Sequence, residues 1–597
     1  MSWLPTTKKE CDALGWKQPD VILFSGDAYI DHPSFGTAVI GRVLESQGYK
    51  VAIVPQPNWQ DDLRDFKKLG RPGLFFGVTA GTMDSMVNKY TAGKRLRSED
   101  AYTPDGRHSS RPEYPSIVYT KALKKLFPDV PVVLGGIEAS MRRLTHYDYW
   151  QDRLQRSILL DSGADWLVYG MGEKPVIAIA DAIRRGHPEE ISGQPQVAFL
   201  ADGIPGGISP DDKLLSSHEQ CLADKRTQAA NFRIIEEESN KINASRIIQQ
   251  TAGKYVIVNP PYPPMTTAEL DAVYDLPYMR TPHPRYKGKR IPAYEMIRHS
   301  VTIHRGCFGG CAFCTISAHQ GKQVVSRSEG SILHEVREIT RMEDFKGYIS
   351  DLGGPSANMY RLGGRDKSLC QKCARPTCLH PKVCPNLNTD LTPLISLYRK
   401  AAEIPGVKKI CIGSGIRYDI ILHQSDNADE NRSHLKYAEQ LICNHVSGRL
   451  KVAPEHNAGH VLQIMRKPSF SQFEQFSRMF DNICRKNGLK QQLIPYFISS
   501  HPGCTEQDMA ELAAITKRLD FHLEQIQDFT PTPMTLSTEI FHTGINPYTK
   551  EQVYTASSAT EKQAQRQFFF WYEPDKRRAI IAELRKIGRT DLIQKLF

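Results

Sequence analysis

The sequence has no long apolar run. No stretch of its 597 residues approaches the roughly 18 uninterrupted apolar residues of a membrane-spanning helix. The opening Met-Ser-Trp-Leu-Pro also lacks the apolar core of a secretory signal. These two absences predict a cytoplasmic protein with no membrane partner.

Charge of one sign is not in large excess either. The chain has 77 Lys and Arg against 66 Asp and Glu, a formal net charge of +11. This charge is mild for such a long chain, whereas nucleic-acid-binding domains usually gather basic residues on one face. Nucleic acid is therefore not excluded as a partner, but it is not predicted. The content of 40% hydrophobic and 24% charged residues excludes a disordered or collagen-like chain.

Cysteine, in contrast, is abundant. The chain has thirteen cysteines, and seven of them fall between Cys307 and Cys384. In a reducing compartment, cysteines are more often metal ligands or reactive thiols than disulfides. This segment is therefore where the sequence predicts metal chemistry.

Residues 1–205 alternate short apolar runs with helical patterns. Such alternation predicts a parallel sheet with crossover helices, and so a Rossmann-like or flavodoxin-like N-terminal domain. Glycines follow several of the runs, and open sheets bind ligands at that edge. The strands are predicted at Asp20–Asp27, Lys50–Gln56, Gly73–Ala80, Val130–Ala139 and Ala164–Glu173.

Residues 206–295 are rich in charge and then in proline. A long helical pattern is followed by the proline run Pro260–Pro264, which breaks regular structure. We expect a helical and proline-rich connector between domains. Its basic end contains Tyr286 and Tyr294, a combination that can bind nucleic acid. A solvated linker packed on an acidic neighbour is the favoured interpretation.

A second alternating series occupies residues 296–545. Its strand–helix units predict a partial (β/α)6 barrel of the TIM type, so that the fold class is α/β. A cysteine-rich insertion at 365–388 interrupts the barrel, and a basic, partly helical extension follows at 546–597. The barrel strands are predicted at Ser300–Gly306, Gly347–Gly354, Lys408–Gly415, Arg449–Glu455, Gln491–Ser500 and Gln525–Thr530.

Three cysteines follow the first of these strands. Cys307, Cys311 and Cys314, the cysteine triad, have C-x3-C-x2-C spacing in a glycine-containing loop. Three thiolates can hold a [4Fe-4S] cube and leave its fourth iron open to another ligand. Phe313 would place an aromatic face beside that iron. The alternatives are a zinc site with a distant fourth ligand and three structural cysteines, although zinc favours two C-x2-C pairs.

The triad, at the end of the first strand of a barrel, resembles the radical S-adenosylmethionine (radical SAM) superfamily. This resemblance implies that the open iron binds the amino and carboxylate groups of SAM. It implies that one electron then breaks the sulfonium bond and that a 5′-deoxyadenosyl radical takes hydrogen from a substrate. An electron donor such as flavodoxin or ferredoxin is implied as a partner, and the substrate stays unknown.

Longer motifs resemble one group within that superfamily, the YgiQ family. They are Ile316–Gly321, Ser326–Ser328, Ser414–Arg417 and Gln527–Met534, together with the opening Ser-Trp-Leu-Pro-Thr. The resemblance extends over nearly the whole chain. It implies a radical SAM protein with its own N-terminal domain, and it names no substrate.

Three further residues are predicted to contact SAM. Gly353 and Gly354 end the second strand and resemble the GGE-type segment whose backbone meets the SAM amino group, although Pro355 replaces the acidic residue. A plain Gly-Gly turn is the alternative. Glu455 ends the fourth strand, where superfamily members often place a polar residue for SAM. An exposed loop carboxylate is the alternative there.

A second group of cysteines lies in the insertion. Cys370, Cys373, Cys378 and Cys384, the cysteine knuckle, surround His380 within fifteen residues. Four ligands would close the shell of a zinc ion or of a second iron–sulfur cluster, and the spacing does not choose between them. A closed shell favours structure or electron relay over substrate activation. Four idle thiols are the alternative.

The N-terminal domain raises the question of cobalamin, because cobalamin-dependent radical SAM methylases have a similar domain. Their cobalt-ligand pattern is D-x-H-x-x-G. In Asp31-His32-Pro33-Ser34-Phe35-Gly36 the spacing differs on both sides of the histidine. His32 is therefore interpreted as a pocket or helix-start histidine. Some members bind cobalamin without this histidine, so cobalamin is the less favoured cofactor but stays open.

The predicted function is a radical SAM enzyme of unknown reaction. A non-catalytic iron–sulfur scaffold or electron-transfer protein is the alternative from another class. RNA modification and cobalamin-dependent chemistry are sub-hypotheses within the enzyme class, and the first rests only on the mild basic balance.

Overall fold

A computed structural model of the chain describes residues 2–522 and 526–597. The strands of its first part are β1 (Val21–Ser25), β2 (Val51–Pro55), β3 (Phe75–Thr79), β4 (Val132–Leu134), β5 (His146–Asp148), β6 (Arg153–Gln155), β7 (Trp166–Val168), β8 (Val197–Ala201), β9 (Lys213–Leu215), β10 (Ile247–Thr251) and β11 (Lys254–Val258).

Nine of these strands form one sheet, in the order β2-β1-β3-β4-β7-β8-β11-β10-β9. The first five are parallel, with Val21 opposite both Val51 and Phe75. Each of β8, β11 and β10 runs antiparallel to the strand before it. Strands β1 and β2 are buried at every residue, as expected for parallel strands covered on both faces. The predicted α/β class is confirmed.

The helices of this part pack around the sheet or connect it to the rest of the chain. They are α1 (Lys8–Ala13), α2 (Gly36–Ser46), α3 (Arg64–Lys67), α4 (Ser85–Lys89), α5 (Pro115–Leu126), α6 (Gly136–Met141), α7 (Ile158–Ser162), α8 (Glu173–Arg184), α9 (His218–Ala223), α10 (Lys225–Ser239), α11 (Thr267–Tyr274) and α12 (Pro292–Ile297).

The segment 206–295 differs from the expected connector. It contains a long helix, α10, and the proline run, but strands β9, β10 and β11 also lie in it and extend the sheet. Strands β10 and β11 pair through a tight turn at Ala252-Gly253, where both residues have positive φ. The sequence of β10, Ile-Ile-Gln-Gln-Thr, is half polar, so its apolar pattern is too weak to predict a strand.

The strands of the second part are shorter. They are β12 (Ser300–Thr302), β13 (His304–Arg305), β14 (Val325–Ser326), β15 (Tyr348–Ile349), β16 (Asp351–Gly353), β17 (Gly363–Gly364), β18 (Leu387–Asn388), β19 (Lys409–Ile410), β20 (Arg449–Glu455), β21 (Gln492–Ser499) and β22 (Ile526–Asp528).

Parallel pairing recurs through the second part. Strand β12 pairs with β16, β15 pairs with β19, and β20, β21 and β22 form a three-stranded sheet. Each of the six segments predicted as barrel strands contains at least one of these strands. Gln525, the first residue of the last predicted segment, lies outside the described residues.

The helices of the second part alternate with these strands and continue past them. They are α13 (Ile316–Gln320), α14 (Glu329–Thr340), α15 (Lys367–Gln371), α16 (Thr392–Ala402), α17 (Tyr418–Ile421), α18 (Ala428–Gln440), α19 (Gly459–Met465), α20 (Phe470–Lys486), α21 (Glu506–Arg518), α22 (Leu536–Thr543), α23 (Ala559–Arg566), α24 (Arg577–Lys586) and α25 (Ile593–Leu596).

The C-terminal extension is part of the core of the second half. Phe568 and Ile580 belong to the same apolar cluster as Val301 of β12. Gln565 is fully buried, donates through Nε2 to the carbonyl of Cys504 at 2.7 Å, and accepts from the Ser500 N–H at 2.8 Å. These contacts fix the extension onto the carboxyl end of β21. Among the described residues, no helix has the length and apolarity to cross a membrane.

Candidate functional site

The triad loop follows β13 and is held tightly at its glycines. Gly306 and Gly310 have φ of +83° and +58°, a region that favours glycine. A Cβ on Gly306 would collide with the carbonyl of Gln323. Within the loop, the Cys314 N–H donates to the carbonyl of Cys311 at 3.1 Å. The chain thus turns abruptly here, because glycine permits both the positive φ and the close approach of the Gln323 carbonyl.

Arg417 contacts the triad. Its Nη1 donates to Cys311 Sγ at 3.5 Å, and its Nε donates to Asp419 at 2.9 Å. Burial raises the pKa of the Cys307 thiol, Cys311 raises it further, and Arg417 lowers it. Burial also raises the pKa of Cys314 to about 12. Thiols in such an environment lose their protons when a metal binds, and a fixed cation stabilises the thiolate form.

Two of the residues predicted to contact SAM meet at one cavity. Phe313 and Glu455 line a space of about 250 Å³ together with residues of β21 and of the chain that follows β22. Glu455 is buried at the end of β20, and its Oε1 lies 3.5 Å from Lys467 Nζ. Burial raises the pKa of Glu455, while Lys467 and Arg417 lower it. Glu455 is therefore a buried, paired carboxylate rather than an exposed one.

The other two predicted residues lie elsewhere. Gly353 and Gly354 line a larger cavity of about 470 Å³. A Cβ on Gly354 would run into the imidazole of His304, and one on Gly353 would meet the side chains of Ser414 and Asp351. Phe313 and Glu455 thus line one cavity, and Gly353 and Gly354 line another.

The larger cavity lies where the two halves of the chain meet. On one side are residues at the carboxyl ends of β1 and β3, the point at which the strand order of the parallel sheet reverses. Open α/β sheets bind ligands at this point. On the other side are β12, β13 and β16 of the second half. The residues that line this cavity include Thr79, Gly136, Gly170, Thr302, His304 and Gly354.

His304 is a residue that the sequence analysis missed. It is fully buried, and neither of its ring nitrogens has a hydrogen-bond partner among the described residues. Burial lowers the pKa of His304 to about 3, so the imidazole is neutral. A buried polar group without a partner is uncommon and often marks a ligand site. Its only signal in the sequence is its place three residues before the triad.

His32, the residue nearest to a cobalt-ligand pattern, is already engaged. It is fully buried, its Nε2 accepts from Arg280 Nη2 at 2.9 Å, and burial lowers its pKa well below the usual value. The neighbouring Asp31 forms a buried ion pair with Arg42. His32 is not among the residues that line the larger cavity. His32 is thus a buried, hydrogen-bonded side chain just before α2.

The knuckle thiols lie near enough to influence one another's pKa. The Cys373 N–H donates to the Cys370 carbonyl at 3.3 Å, and the Cys384 N–H donates to the Cys378 carbonyl at 2.8 Å. Burial raises the pKa of Cys378 to about 11; Lys322 lowers it, and the other three knuckle thiols raise it. His380 is different, because burial, Arg466 and other neighbours outside the knuckle shift its pKa.

Lys322 places a positive charge beside the knuckle thiols. It is only 4% exposed, and its Nζ lies 2.7 Å from the Arg375 carbonyl and 3.6 Å from Cys373 Sγ. Within residues 2–522 and 526–597 it has no carboxylate partner. A buried cation needs an opposite charge nearby, and the thiols are the groups present to provide it.

The knuckle and the triad touch through their backbones. The Cys378 N–H donates to the Phe308 carbonyl at 3.0 Å, and a Cβ on Gly310 would collide with the Pro376 carbonyl. The Cys307 N–H donates to the carbonyl of Gly321, the residue before Lys322, at 3.1 Å. In the described part of the chain, no three His, Cys, Asp or Glu side chains are close enough to share one metal ion.

Comparison with known proteins shows which family the chain belongs to. Residues 3–300 match the family model "Radical SAM N-terminal", and residues 524–595 match a "Domain of unknown function (DUF3362)". A UPF0313 protein of Bacteroides thetaiotaomicron is 66% identical and covers 100% of this chain and 98% of its own length. The UPF0313 protein YgiQ of Escherichia coli is 42% identical, over 99% of this chain and 87% of its own.

The chain belongs to the UPF0313 family. The resemblance to YgiQ that the motifs predict is confirmed. Its match to the radical SAM N-terminal model supports a radical SAM enzyme whose reaction is unspecified.

Solved structures with a similar outline include two enzymes. The radical S-adenosylmethionine methyltransferase TsrM from Kitasatospora setae, with cobalamin and a [4Fe-4S] cluster bound, is 15% identical with a TM-score of 0.48, covering 87% of this chain and 74% of that one. The cobalamin-dependent enzyme OxsB with aqua-cobalamin bound is 11% identical with a TM-score of 0.47, covering 87% and 54%.

Proposed function

We propose that the chain holds a [4Fe-4S] cluster on the cysteine triad, binds SAM beside it, and removes a hydrogen atom from a substrate. The observation that carries this proposal is the placement of Arg417 against the triad, with Nη1 3.5 Å from Cys311 Sγ. A thiolate cluster is anionic, and a cation fixed beside it stabilises it. Three thiols are also the donor set that leaves one iron of a cube open.

Cys307, Cys311 and Cys314 would hold the cluster, which would supply the single electron needed for reductive cleavage of SAM. The residues of this chain would bind the reacting groups and exclude water from them. Arg417 keeps a positive charge at the triad and is itself oriented by Asp419. Lys467 balances the charge of buried Glu455. Phe313 and Phe529 give the smaller cavity an apolar wall that excludes water.

We propose that SAM lies between the two cavities. Phe313 and Glu455 would contact its adenosine side from the smaller cavity. The backbone of Gly353 and Gly354 would approach its amino acid side, since the absence of a side chain at both positions permits close contact.

The fold supports a substrate site in the larger cavity. We infer that the sheet of the first part is a Rossmann-like domain and that β12, β15–β16, β19, β20, β21 and β22 form a partial (β/α)6 barrel. Both folds bind ligands at the carboxyl ends of their strands. The larger cavity joins those two edges and contains the neutral imidazole of His304, which would donate to or accept from a polar group of the substrate.

Cobalamin is a second candidate for the larger cavity, because the cavity lies at the switch point of the sheet. His32 would not be a ligand of its cobalt, because His32 Nε2 accepts a hydrogen bond from Arg280. Titration of the purified protein with hydroxocobalamin tests this candidate. A shift of the corrinoid absorption bands with one cobalamin retained per chain supports it, and free passage of the corrinoid through a desalting column rejects it.

The proposed function is tested with anaerobically reconstituted protein. We expect SAM to change the EPR signal of the reduced cluster, and dithionite with SAM to yield 5′-deoxyadenosine. Cys311→Ala should abolish both responses, whereas Cys443→Ala, a change outside both cysteine groups, should leave both intact. If Cys311→Ala retains the SAM-dependent EPR change, the triad is not the SAM-binding centre.

A further inference from the structure

We propose that the substrate of this enzyme is an organic anion and that Arg143 binds its acidic group in a third cavity, the side cavity, which adjoins the larger cavity. This inference rests on the proposed function, because it concerns the substrate of the same enzyme. Its observations are separate: a buried arginine that no carboxylate balances, a second polar group beside it, an apolar wall, and a position next to the triad loop.

The side cavity lies between the first sheet and the helix that follows the triad. It has a volume of about 170 Å³. Residues of β10 and β11 line one side of it, and residues of α13 and of the chain after α13 line another. The residues that line both this cavity and the larger one are Gly170, Met171, Arg305, His319 and Gln320. A ligand held by one end in the side cavity would therefore extend toward the larger cavity.

Arg143 places a buried positive charge at the side cavity. It is 4% exposed, and its Nε has no hydrogen-bond partner among the described residues. Burial lowers the pKa of Arg143, and Tyr169, not a carboxylate, is the group that raises it. A guanidinium nevertheless stays protonated in proteins. Because a buried charge is costly unless an opposite charge lies beside it, Arg143 favours an anionic ligand.

The other cations of the side cavity are engaged by groups of the chain itself. Five Lys and Arg residues and one acid line the cavity. Three of these cations form ion pairs: Lys174 with Glu269, Lys241 with Glu238, and Arg305 with Glu173. The fourth, Lys322, donates to the carbonyls of Cys373 and Arg375. Arg143 is thus the cation of this cavity that is left for a ligand.

Arg143 is held in position without a ligand. Its Nη1 donates to the Ser140 carbonyl at 2.6 Å, and its guanidinium lies 4.7 Å from the centre of the Tyr169 ring. Tyr169 is fixed in turn, because its hydroxyl donates to the Asn259 carbonyl at 2.6 Å. A side chain that is already ordered loses little conformational entropy when it binds. The site is therefore preorganised for an acidic group.

His319 adds a neutral polar group beside Arg143. Its Nδ1 is buried and has no hydrogen-bond partner in the described part of the chain. Burial and the neighbouring charge of Arg143 lower the pKa of His319 to about 4, so the imidazole is neutral. A neutral imidazole nitrogen donates or accepts one hydrogen bond. Because α13, which contains His319, begins two residues after Cys314, the ligand would lie close to the triad.

The proline run forms the apolar wall of the side cavity. Pro260–Pro264 and Met265 line it. Proline has no N–H, so this wall is poor in hydrogen-bond donors. An apolar cavity of about 150 Å³ is large enough to hold benzene. The volume of about 170 Å³ thus fits an acidic group with an apolar body of about that size.

These properties together define the substrate class. A fixed guanidinium binds a carboxylate or a phosphate, and the proline wall favours an apolar body next to it. The rest of the molecule would extend toward the larger cavity, where the neutral His304 lies. The substrate is therefore an acid with an apolar body rather than a cationic or an uncharged compound.

Calorimetry with model compounds tests the anion site. The protein is the full chain with the three triad cysteines changed to alanine, so that binding does not depend on a cluster. We expect 3-phenylpropionate or phenyl phosphate to bind at least ten-fold more tightly than the uncharged 3-phenylpropanol. The tighter of the two acids shows whether the substrate is a carboxylate or a phosphate. Absence of binding by both acids, or equal affinities for the acids and the alcohol, would overturn the proposal.

Substitution of Arg143 tests its role. Arg143→Gln should weaken binding of the tighter acid at least ten-fold and leave the affinity for 3-phenylpropanol unchanged, which also shows that the cavity is folded. Arg143→Lys keeps a charge but not the planar fork, and we expect an intermediate affinity. Arg578→Gln, at an exposed arginine of α24, removes the same charge and should leave acid binding intact. Equal affinities of the parent protein and both Arg143 variants would overturn the proposal.

A longer acid tests whether the ligand extends to the larger cavity. We expect 8-phenyloctanoate to bind at least ten-fold more tightly than 3-phenylpropionate, because its additional methylene groups are buried there. Ile40 lines the larger cavity but not the side cavity. Ile40→Trp should remove this gain and leave the affinity for 3-phenylpropionate unchanged. A full gain in this variant would show that the ligand does not enter the larger cavity.

SAM distinguishes this site from its own. In reconstituted protein with the triad intact, saturating SAM should leave the acid bound. Displacement of the acid by SAM would show that Arg143 binds the carboxylate of SAM, and it would overturn the assignment to a substrate. Failure of the proposed function is recognised separately: acids would still bind through Arg143, but SAM would not change the EPR signal of the cluster.

Discussion

The cysteine triad and the cysteine knuckle share a ligand type and touch through their backbones, but their surroundings differ. The triad has three thiols and a cation, Arg417, that an aspartate already balances. The knuckle has four thiols and a cation, Lys322, that no carboxylate balances in the described residues. The first group faces interior cavities, and the second lies under an exposed basic surface. The two groups thus differ both in the number of thiols and in how the neighbouring cation is balanced.

The largest expected loss of stability comes from a change at the contact between the triad loop and the knuckle. Gly310→Ala introduces a side chain at φ +58° and against the Pro376 carbonyl. We expect a loss of about 4 kcal/mol in the free energy of unfolding, because strain and a backbone clash add. Denaturant unfolding measures it.

The control for that change is Gly288→Ala. Gly288 has φ +79° but open space around it, so only the dihedral strain remains, about 1 kcal/mol. Similar losses in the two variants would show that the triad loop and the knuckle do not pack as described.

The next effect is a pH dependence of the free energy of unfolding that arises beside the triad. His304, just before the triad, has a pKa of about 3, whereas an unfolded histidine titrates near 6.5. The unfolded chain therefore gains a proton first as pH falls, and the fold loses about 3 kcal/mol between pH 6.5 and pH 4. His304→Phe should remove much of this pH dependence.

Urea unfolding at several pH values measures it. His187→Gln, at an exposed histidine, should leave the pH dependence unchanged. A pH profile of His304→Phe identical to that of the parent protein would contradict a buried, neutral imidazole.

A smaller effect tests the charge of the knuckle. Lys322→Met removes the buried cation and keeps most of the side-chain volume. We expect the metal-free protein to gain about 1 kcal/mol of stability, because an uncompensated charge is removed, and the iron-loaded protein to lose about 2 kcal/mol. Thermal unfolding with and without iron reveals the change of sign. The same sign in both states would show that the knuckle carries no anionic centre.

The smallest effect concerns a single hydrogen bond to sulfur. Asn386 Nδ2 donates to the Asp366 carbonyl at 2.8 Å and reaches Cys370 Sγ at 3.5 Å. Asn386→Ala should lower the free energy of unfolding by about 1 kcal/mol, because the hydrogen bonds to the Asp366 carbonyl and to Cys370 Sγ are lost. Urea unfolding measures the change. An unchanged stability would show that Asn386 does not hold this part of the knuckle.

Local patterns predict much of this molecule. The spacing of the triad, the alternating strands β1 to β4 and the family motifs are short-range features, and sequence order is enough to read them. Position 304 shows the limit. A histidine in a strand has no special meaning in sequence, and its lack of a hydrogen-bond partner arises only when Gly354 packs on its ring.

Contacts between distant residues explain the rest. The hydrogen bond from Cys378 to Phe308 joins residues with four strands between them in the sequence, so their spacing does not predict it. Likewise, Phe313 and Glu455 line one cavity while Gly353 and Gly354 line another, although all four lie at or after the ends of strands in the second part. Which side of a loop faces which cavity depends on packing, and a linear motif does not contain it.

The burial of Gln565 at the end of β21 sets an order of events during synthesis. The ribosome delivers the triad and the knuckle some 180 to 260 residues before it delivers Gln565 and Arg566, which pair with the backbone near Ser500 and with Asp528. Domains fold from the amino terminus as they emerge. The second half of the chain therefore gains its last core contacts only after both cysteine groups have been synthesised.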